Sequence, residues 1–503
     1  MEKSRRTCLR LKRARWSPPL HSTMEISAPS QIRAESSPYS VLDGITNVAG
    51  SRLVFLGTLA LLLVWTILGI VLGATQVWQI VMQNASSIQC YVSDTLLMRQ
   101  QANSTHSFLV SIAEMRSRSA SCMRMLRSLT PSQLQELKEL QASKLNESAL
   151  LTHDKSEKKE KKANLFDRAC DIVALATGSL PALIIYMIGT FVWLGLGPLF
   201  QWGNIWQLYI NTAVAVELTF TSMFLQNVRR RHADTLSRTL SSIRTLDSTL
   251  ELQLRSLTGD TAPNPPIIIA PPQSTRTERF IDVYAYIIGS GVGVALTTIV
   301  FVTWLALGHL LMWDSNWWLI IGTYTGLVGF VDGFVLRNVY FRQSAILETH
   351  LAALVSADQD VFEFLGLGFG TGDGEEEGGK GKKSLGLRIS EGMIYYCAMP
   401  VAVIGSLVVV VILLAIATGL RWSETGQLLC NTPTMIVEGF LLLVLFQAHN
   451  LANVERRGQV GRALERRGRI GELLGAETRE VDRRRLGSAV SLDMETIEIE
   501  VKS

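Results

Sequence analysis

The chain has 503 residues, of which 48% are hydrophobic and only 18% are charged. Soluble proteins carry about 25% charged residues, and the apolar residues of this chain gather in long runs, so the composition indicates an integral membrane protein. The net charge is only +4 and gives no basic surface for nucleic acid. Six widely separated cysteines form no CxxC pair, which excludes a zinc ribbon or a dithiol redox motif.

Eight apolar spans are predicted after a basic N-terminal arm that lacks the apolar core of a signal peptide. A bilayer core needs about 20 apolar residues as helix. Four strongly apolar spans meet that length: 53–72, 180–200, 286–311 and 397–420. A more polar span follows each of them after a short connector: 77–98, 205–225, 317–336 and 428–446. We therefore predict an all-α integral membrane protein with about eight transmembrane helices in four repeated helical hairpins.

The hairpins alternate with polar segments, several of which continue the second helices. The predicted organisation is a basic arm (1–51), hairpin 1 (52–98), a charged helical loop (99–165), hairpin 2 (166–226), a helix with a Pro-rich linker (227–279), hairpin 3 (280–337), a helix with a Gly/Glu/Lys low-complexity loop (338–390), hairpin 4 (391–447) and a tail (448–503). Apolar residues at helical spacing between 236 and 250 indicate helix packing. The low-complexity loop lacks the strand and the Ser or Thr of a phosphate-binding loop, so we expect no nucleotide site there.

An internal repeat relates the first three hairpins. A glycine precedes a tryptophan by 15 residues, a second glycine follows after four more and a second tryptophan after nine more, and an aspartate lies seven residues before the first glycine. The three copies are Asp43, Gly50, Trp65, Gly69, Trp78; Asp171, Gly178, Trp193, Gly197, Trp206; and Asp282, Gly289, Trp304, Gly308, Trp317. Tryptophans at span ends are typical membrane-interface anchors.

The fourth hairpin is predicted to be a degenerate copy of this repeat. Gly419 is assigned to the second glycine position, and Ala415 and Gly426 stand where the tryptophans would be. This alignment makes the connector two residues shorter than in the other hairpins. Gln427 and Asn431 still match Gln207 and Asn211 of the second hairpin.

Lysine and arginine set the predicted orientation. The arm, the long loops and the tail are rich in basic residues, whereas the four hairpin connectors contain only Arg421. By the positive-inside rule, both termini and the three long loops are cytoplasmic. The first apolar span then targets the chain to the membrane.

Polar residues follow one face of each second helix, although Glu217 in the second hairpin is turned away from that face. A polar group in hydrocarbon is costly unless it faces a partner or a water-filled cavity, and carboxylate, amide and hydroxyl oxygens suit divalent cations, with a cysteine as a softer ligand. The candidate metal-pathway residues are the carboxylates Asp94, Glu217, Asp332 and Glu438 and the stripe residues Gln79, Gln83, Cys90, Gln207, Asn211, Gln427, Asn431 and Thr434. The alternative is that the amides only form hydrogen bonds that hold the helices together.

His309 is the one histidine predicted on the outer side, in the third connector near Met312 and Asp314. We include it as a candidate for a weak cation vestibule, while a lone interfacial histidine is often incidental. Glu438 is the stronger candidate for a metal ligand, because burying a carboxylate midway along an apolar span is energetically costly and a functional role would explain it.

Several sequence landmarks resemble the low-affinity iron permease family. They are Phe166-Asp167-Arg168, Gly178-Ser179, Val192-Trp193, Trp206-Gln207-Leu208 with Asn211, and Phe224-Leu225-Gln226-Asn227. The second hairpin carries the resemblance best, and the arm and tail do not share it. Arg99 and Arg337 depart from it near the ends of their spans, and hairpin 4 lacks the tryptophans. The resemblance implies uptake of Fe(II), with copper or zinc as additional substrates, across the plasma membrane.

Two functions are compatible with the sequence. The first is a secondary permease or channel-like carrier that passes divalent transition metal along the carboxylate-bearing helices. The second is a membrane scaffold or sensor whose polar stripes serve only helix packing. In neither case do we expect an enzyme or a bound cofactor. The expected partners are the lipid bilayer and the transported ion, with a homo-oligomer left open and no nucleic acid.

Overall fold

The computed structural model describes residues 41–133 except Ala74, together with Gln135, 165–269, 274–366 and 385–501, with side chains of the last helix described to Gly471. This part of the chain is almost entirely helical, which confirms the predicted all-α class. Its helices are α1 (Val41–Ala49), α2 (Arg52–Leu72), α3 (Gln76–Arg127), α4 (Leu165–Thr177), α5 (Leu180–Leu196), α6 (Asn204–Thr258), α7 (Arg276–Ile288), α8 (Gly291–Leu310), α9 (Ser315–Leu365), α10 (Leu385–Cys397), α11 (Pro400–Gly419) and α12 (Glu424–Val501).

Each of four units consists of a short helix, an apolar helix and a long helix. In three units a serine two residues beyond the short helix caps the apolar one: the side chains of Ser51, Ser179 and Ser290 accept a hydrogen bond from a backbone N–H in its first turn. The chain bends there, by 53° between α4 and α5. Predicted hairpin 2, which begins at residue 166, therefore includes a short helix that is set at an angle to the apolar span.

The four long helices form the centre of the molecule. Helix α3 packs against α6 and α9, and α12 packs against the same two helices. Helices α3 and α12 therefore face each other across the axis of a four-helix bundle. The apolar helices lie outside it and expose side chains such as Leu53 and Val401 (83% and 75% exposed), as expected of surfaces that contact lipid.

Six described helices are long and apolar enough to cross a membrane, or seven if the bent pair α4–α5 counts as one span. Helix α3 is not among them, because polar residues such as Gln83 and Asp94 lower its hydropathy; these residues are buried within the structure. The count of eight spans stays a prediction.

Equivalent residues of the four long helices lie in common layers. Leu97, Leu225 and Leu336 each follow the second tryptophan of their hairpin by 19 residues, and Leu445 follows Gly426 by the same number. All four leucines are fully buried and belong to one hydrophobic cluster. The repeat therefore continues along the whole length of the bundle.

Beyond the apolar helices the long helices continue as a second stretch of bundle, which we call the extension (99–127, 227–258, 338–365 and 447–471). Its two hydrophobic clusters draw residues from all four long helices, including Ile112, Ile243, Leu354 and Ala463. The predicted leucine stripe at 236–250 lies here and packs the core, although Leu236 and Leu246 are only partly buried. The low-complexity loop lies outside the described residues.

In hairpins 2 and 3 the tryptophan repeat joins the two helices by stacking and by reciprocal hydrogen bonds, whereas in hairpin 1 Trp65 and Trp78 only stack, with ring centroids 5.8 Å apart. Trp193 stacks on Trp206 with ring centroids 3.8 Å apart, and each indole N–H donates to the backbone carbonyl of the other residue at 3.1 Å. Trp304 and Trp317 repeat the arrangement at 4.1 Å. These tryptophans therefore hold the hairpins together and do more than anchor the chain at an interface.

The aspartate of the repeat forms an ion pair near the end of the membrane-level bundle. Asp43 pairs with Arg99 at 2.7 Å and Asp171 with Arg231 at 2.9 Å, and Asp282 pairs with Arg342. Each pair ties a short helix to the long helix of the same unit. The departure noted at Arg99 is thus a structural contact.

The predicted register of hairpin 4 is wrong by two residues. The backbone N–H of Trp422 donates to the backbone carbonyl of Ala417 at 2.9 Å, as the backbone N–H of Trp202 donates to the carbonyl of Gly197 at 3.0 Å. Ala417, and not Gly419, therefore holds the glycine position, and the connector has the same length as the others. Leu413, and not Ala415, then stands at the first tryptophan position. The error arose because the tryptophan pair that marks the register is missing from this hairpin.

Candidate metal pathway

Three metal-ligating side chains converge on the axis of the bundle. Cys90 and Asp94 lie one turn apart on α3, and Glu438 reaches them from α12 on the opposite side. The cysteine sulfur and one oxygen of each carboxylate lie within 4.8 Å of one another. All three side chains are buried, at 1%, 3% and 5% exposure. We call these residues the three-ligand group.

Helix α9 has a glycine, Gly329, where it passes the Glu438 carboxylate. A Cβ atom placed on Gly329 of α9 would lie 2.7 Å from Glu438 Oε1, which is closer than real Cβ contacts. The glycine lets α9 pack beside the carboxylate without displacing it. This close approach gives a site-specific reason for glycine at this position of α9.

The chemistry of the group fits a divalent transition metal. Two carboxylates buried this close repel each other when both are ionised, and a divalent cation between them removes that repulsion. One thiol and two carboxylates are a mixed soft and hard ligand set, which suits Fe(II) or Zn(II) better than Mg²⁺. Three protein ligands also leave coordination positions open for water, as transport requires.

Two predicted carboxylates lie apart from the three-ligand group. Asp332 is fully buried on α9 and accepts a hydrogen bond of 2.7 Å from the Tyr284 hydroxyl of the short helix α7. Glu217 directs its carboxylate to the interface of α5, α6 and α12, where a Cβ on Gly439 would lie 2.6 Å from both Glu217 Oε2 and the Tyr186 hydroxyl. Its position off the polar stripe, visible in the sequence, agrees with this placement.

The predicted amide and hydroxyl residues line the part of the bundle nearer the connectors. Some of them do bridge helices, since Asn211 Nδ2 donates to Thr432 Oγ1 at 3.0 Å and Thr432 Oγ1 donates to Gln207 Oε1 at 3.5 Å. Thr434 bonds to carbonyls of its own helix. Gln79, Gln83, Gln427 and Asn431 are equally buried.

His309 is exposed at the end of α8. Among the described residues, no group of three or more metal-ligating side chains includes it. The structure therefore does not bring it together with the other candidates.

Comparison with known proteins places the chain among transporters. The model of the low affinity iron permease family matches residues 166–251, 277–365 and 387–457. The low-affinity iron/zinc ion transport protein fet4 of Schizosaccharomyces pombe is 46% identical over 83% of this chain and 70% of its own length. The low-affinity Fe(2+) transport protein of Saccharomyces cerevisiae is 39% identical over 85% of this chain and 81% of its own length.

The chain belongs to the low-affinity iron permease family. The three matched stretches fall on the second, third and fourth units of the structure, which agrees with the repeat. No solved structure matches the chain. The resemblance drawn from the sequence landmarks is confirmed.

Sequence reasoning missed two buried residues of this permease that lie close to the pathway. Asn84 is fully buried on α3, although it is one position off the polar stripe. Arg337, noted only as a departure from the family landmarks, is buried on α9 and donates to the carbonyls of Leu441 and Gly333. A signal existed for Asn84, because Gly322 and Gly326 on α9 mark a surface where another helix can approach closely.

The layer of four leucines (Leu97, Leu225, Leu336 and Leu445) follows the three-ligand group on the side of the extension. It begins three residues after Asp94 on α3 and offers no polar atom from any side chain. The extension beyond it has packed apolar cores. These apolar clusters interrupt the polar lining of the axis below the three-ligand group.

Proposed function

We propose that this permease carries Fe(II), with zinc as a second substrate, across the plasma membrane along the axis of the four long helices. The three-ligand group coordinates the ion on the way. The observation that carries the proposal is the convergence of Cys90, Asp94 and Glu438 from opposite helices in a buried position. The names of the two relatives and the family membership support the choice of substrate.

Glu438→Gln tests the proposal, since it keeps the shape of the side chain and removes the charge that attracts Fe(II). We expect iron-55 uptake to fall at least tenfold, at unchanged protein abundance, in cells that lack their own iron permeases. Asp94→Asn should act similarly. Glu217→Gln should be milder, because its carboxylate lies outside the three-ligand group.

The matched control is Glu465→Gln, which changes an exposed carboxylate of the extension (63% exposed) and should transport normally. Wild-type uptake by Glu438→Gln would show that the carboxylate is not a required ligand. Absence of uptake by the wild-type chain would instead favour the scaffold or sensor function.

The proposed orientation places the connectors outside the cell and both termini and the extension in the cytoplasm. It rests on a single basic residue in the connectors against many in the long loops and the tail. Cysteines introduced at Gln201 or Ser423 should react with an impermeant thiol reagent added to intact cells. A cysteine at Thr275 should react only after permeabilisation. The reverse labelling pattern would show that the chain has the opposite orientation in the membrane.

A further inference from the structure

Three buried amides near the three-ligand group have no hydrogen-bond partner. Gln83 and Asn84 on α3 are 0% exposed and Asn431 on α12 is 1% exposed. In the described part of the chain, neither the oxygen nor the nitrogen of any of these amides has a hydrogen-bond partner. They differ in this from Asn211, which bonds across to Thr432. Helix-to-helix hydrogen bonding therefore does not explain them.

Two glycines of α9 bring two of these amides, Asn84 and Asn431, together. A Cβ on Gly322 would lie 2.0 Å from Asn84 Oδ1 and 3.6 Å from Asn431 Nδ2. A Cβ on Gly326 would lie 2.5 Å from Asn431 Oδ1. The absent side chains of α9 thus leave a space between α3 and α12 that the amides enter from both sides.

The position of the amides relates them to the transported ion. Gln83 precedes Cys90 by seven residues and Asn431 precedes Glu438 by seven. Seven residues of helix rise about 10 Å, so the amides lie two turns nearer the connectors than the three-ligand group. An ion that enters from the connectors along the axis meets the amides first.

Burying an amide without a partner costs roughly 1–3 kcal/mol, so three such side chains need an occupant that bonds to them. A dry apolar occupant would leave the cost in place, whereas a hydrated cation offers both charge and water hydrogens to the amide oxygens. Neutral amide oxygens bind divalent cations more weakly than carboxylates do.

We propose that Gln83, Asn84 and Asn431 form a second, outer cation site that holds a divalent ion with part of its water still bound. The site is weak and poorly selective, and the three-ligand group beneath it is tight and selective. This proposal rests on the proposed function for the direction of entry, but its binding chemistry is independent of that function.

The test is a Mn²⁺ titration of the purified full-length chain in lipid nanodiscs, with free Mn²⁺ measured by electron paramagnetic resonance. The wild-type chain should show one tight and one weak class of bound ion. Glu438→Gln should lose the tight class and keep the weak one. The double variant Asn84→Leu/Asn431→Leu, which replaces the amide oxygen and nitrogen by methyl groups on a side chain of the same branching, should keep the tight class and lose the weak one.

A variant that should strengthen the weak binding distinguishes loss of the site from a folding defect. Asn431→Asp keeps the shape of the side chain, adds a charge and should tighten the weak class at least tenfold. The matched control Asn204→Leu changes an amide at the connector end of α6, where it accepts from Thr425, and should leave both classes unchanged.

Persistence of the weak class at wild-type strength in the double variant would overturn the outer site, as would an unchanged weak class in Asn431→Asp. Failure of the proposed function has a different signature. In that case Glu438→Gln transports iron normally, while the weak Mn²⁺ class still responds to both Asn431 variants.

Discussion

Single glycines decide how closely the long helices approach the buried polar side chains. Gly322, Gly326 and Gly329 succeed one another along α9, and each faces an amide or carboxylate from a neighbouring helix. Glycine is expected where another group must come close to a helix backbone. On this helix the groups that come close are the candidate ligands themselves.

Gly329→Ala should impair transport while leaving the fold intact. The added methyl group would lie 2.7 Å from Glu438 Oε1, and what must move is the end of a flexible side chain. We expect iron-55 uptake to fall several-fold with unchanged protein abundance. Gly189→Ala on α5, where a Cβ meets nothing within 4 Å, is the control. Equal uptake by the two variants would mean that the carboxylate position is unimportant.

At the scale of the helix, each long helix presents different chemistry at different depths. Along α12 the side chains that face the axis run from Asn431 through Glu438 to Leu445, a spacing of seven residues. The repeat of seven keeps one face toward the axis of a bundle. The same helix therefore supplies an amide, a carboxylate and part of the leucine layer in succession.

Leu445→Ser should open the leucine layer to water. Hydrophobic constrictions close pathways by excluding water, and a hydroxyl in a layer of four leucines weakens that exclusion. We expect faster iron-55 uptake per molecule and some uptake of Mn²⁺. Leu443→Ser is the matched control, because Leu443 belongs to a different cluster and packs with Leu183 of α5. Slower uptake by Leu445→Ser than by Leu443→Ser would argue against a closing role.

At the scale of the molecule, a buried ionic layer fixes the register of the four long helices in the extension. Arg467 of α12 contacts Asp247 of α6, Asp358 of α9 at 2.8 Å and Ser119 of α3 at 2.8 Å. These four residues occupy equivalent positions of the repeat, and all are at most 5% exposed. A one-turn slip of α6, α9 or α12 would leave a charge buried without its partner, and a slip of α3 would remove the Ser119 hydroxyl from Arg467.

Arg467→Met should destabilise the extension strongly. Removing one partner of a buried ion pair costs about 3–5 kcal/mol, because the remaining charge is left uncompensated. Urea unfolding followed by circular dichroism in detergent measures the loss. Arg467→Met/Asp247→Asn should recover part of it, since it removes one of the uncompensated charges. Arg469→Met, which breaks an exposed pair with Glu465, should cost less than 1 kcal/mol.

Much of the architecture was predictable from local sequence. Runs of about 20 apolar residues determine hairpins because bilayer thickness sets the helix length. The spacing of Asp171, Gly178, Trp193 and Trp206 marks one unit, and the structure gives each of these residues a role: an ion pair for the aspartate, the close approach of a side chain of α12 for the glycine and a stacked ring for the tryptophans. Where the tryptophans are absent, in hairpin 4, the register prediction was wrong by two residues.

The sequence by itself determined the class, the four hairpins, the family and the unusual carboxylate at Glu438, because each depends on composition or on spacing along one helix. Only the tertiary structure decided which polar residues meet. Cys90 and Glu438 are 348 residues apart in the chain, and they converge because α3 and α12 lie on opposite sides of the bundle. Glu217, which is as polar as Glu438 and lies equally deep in its span, faces an outer interface instead. Helical periodicity gives the direction of a side chain relative to its own helix, but the neighbour that it faces depends on how the helices pack.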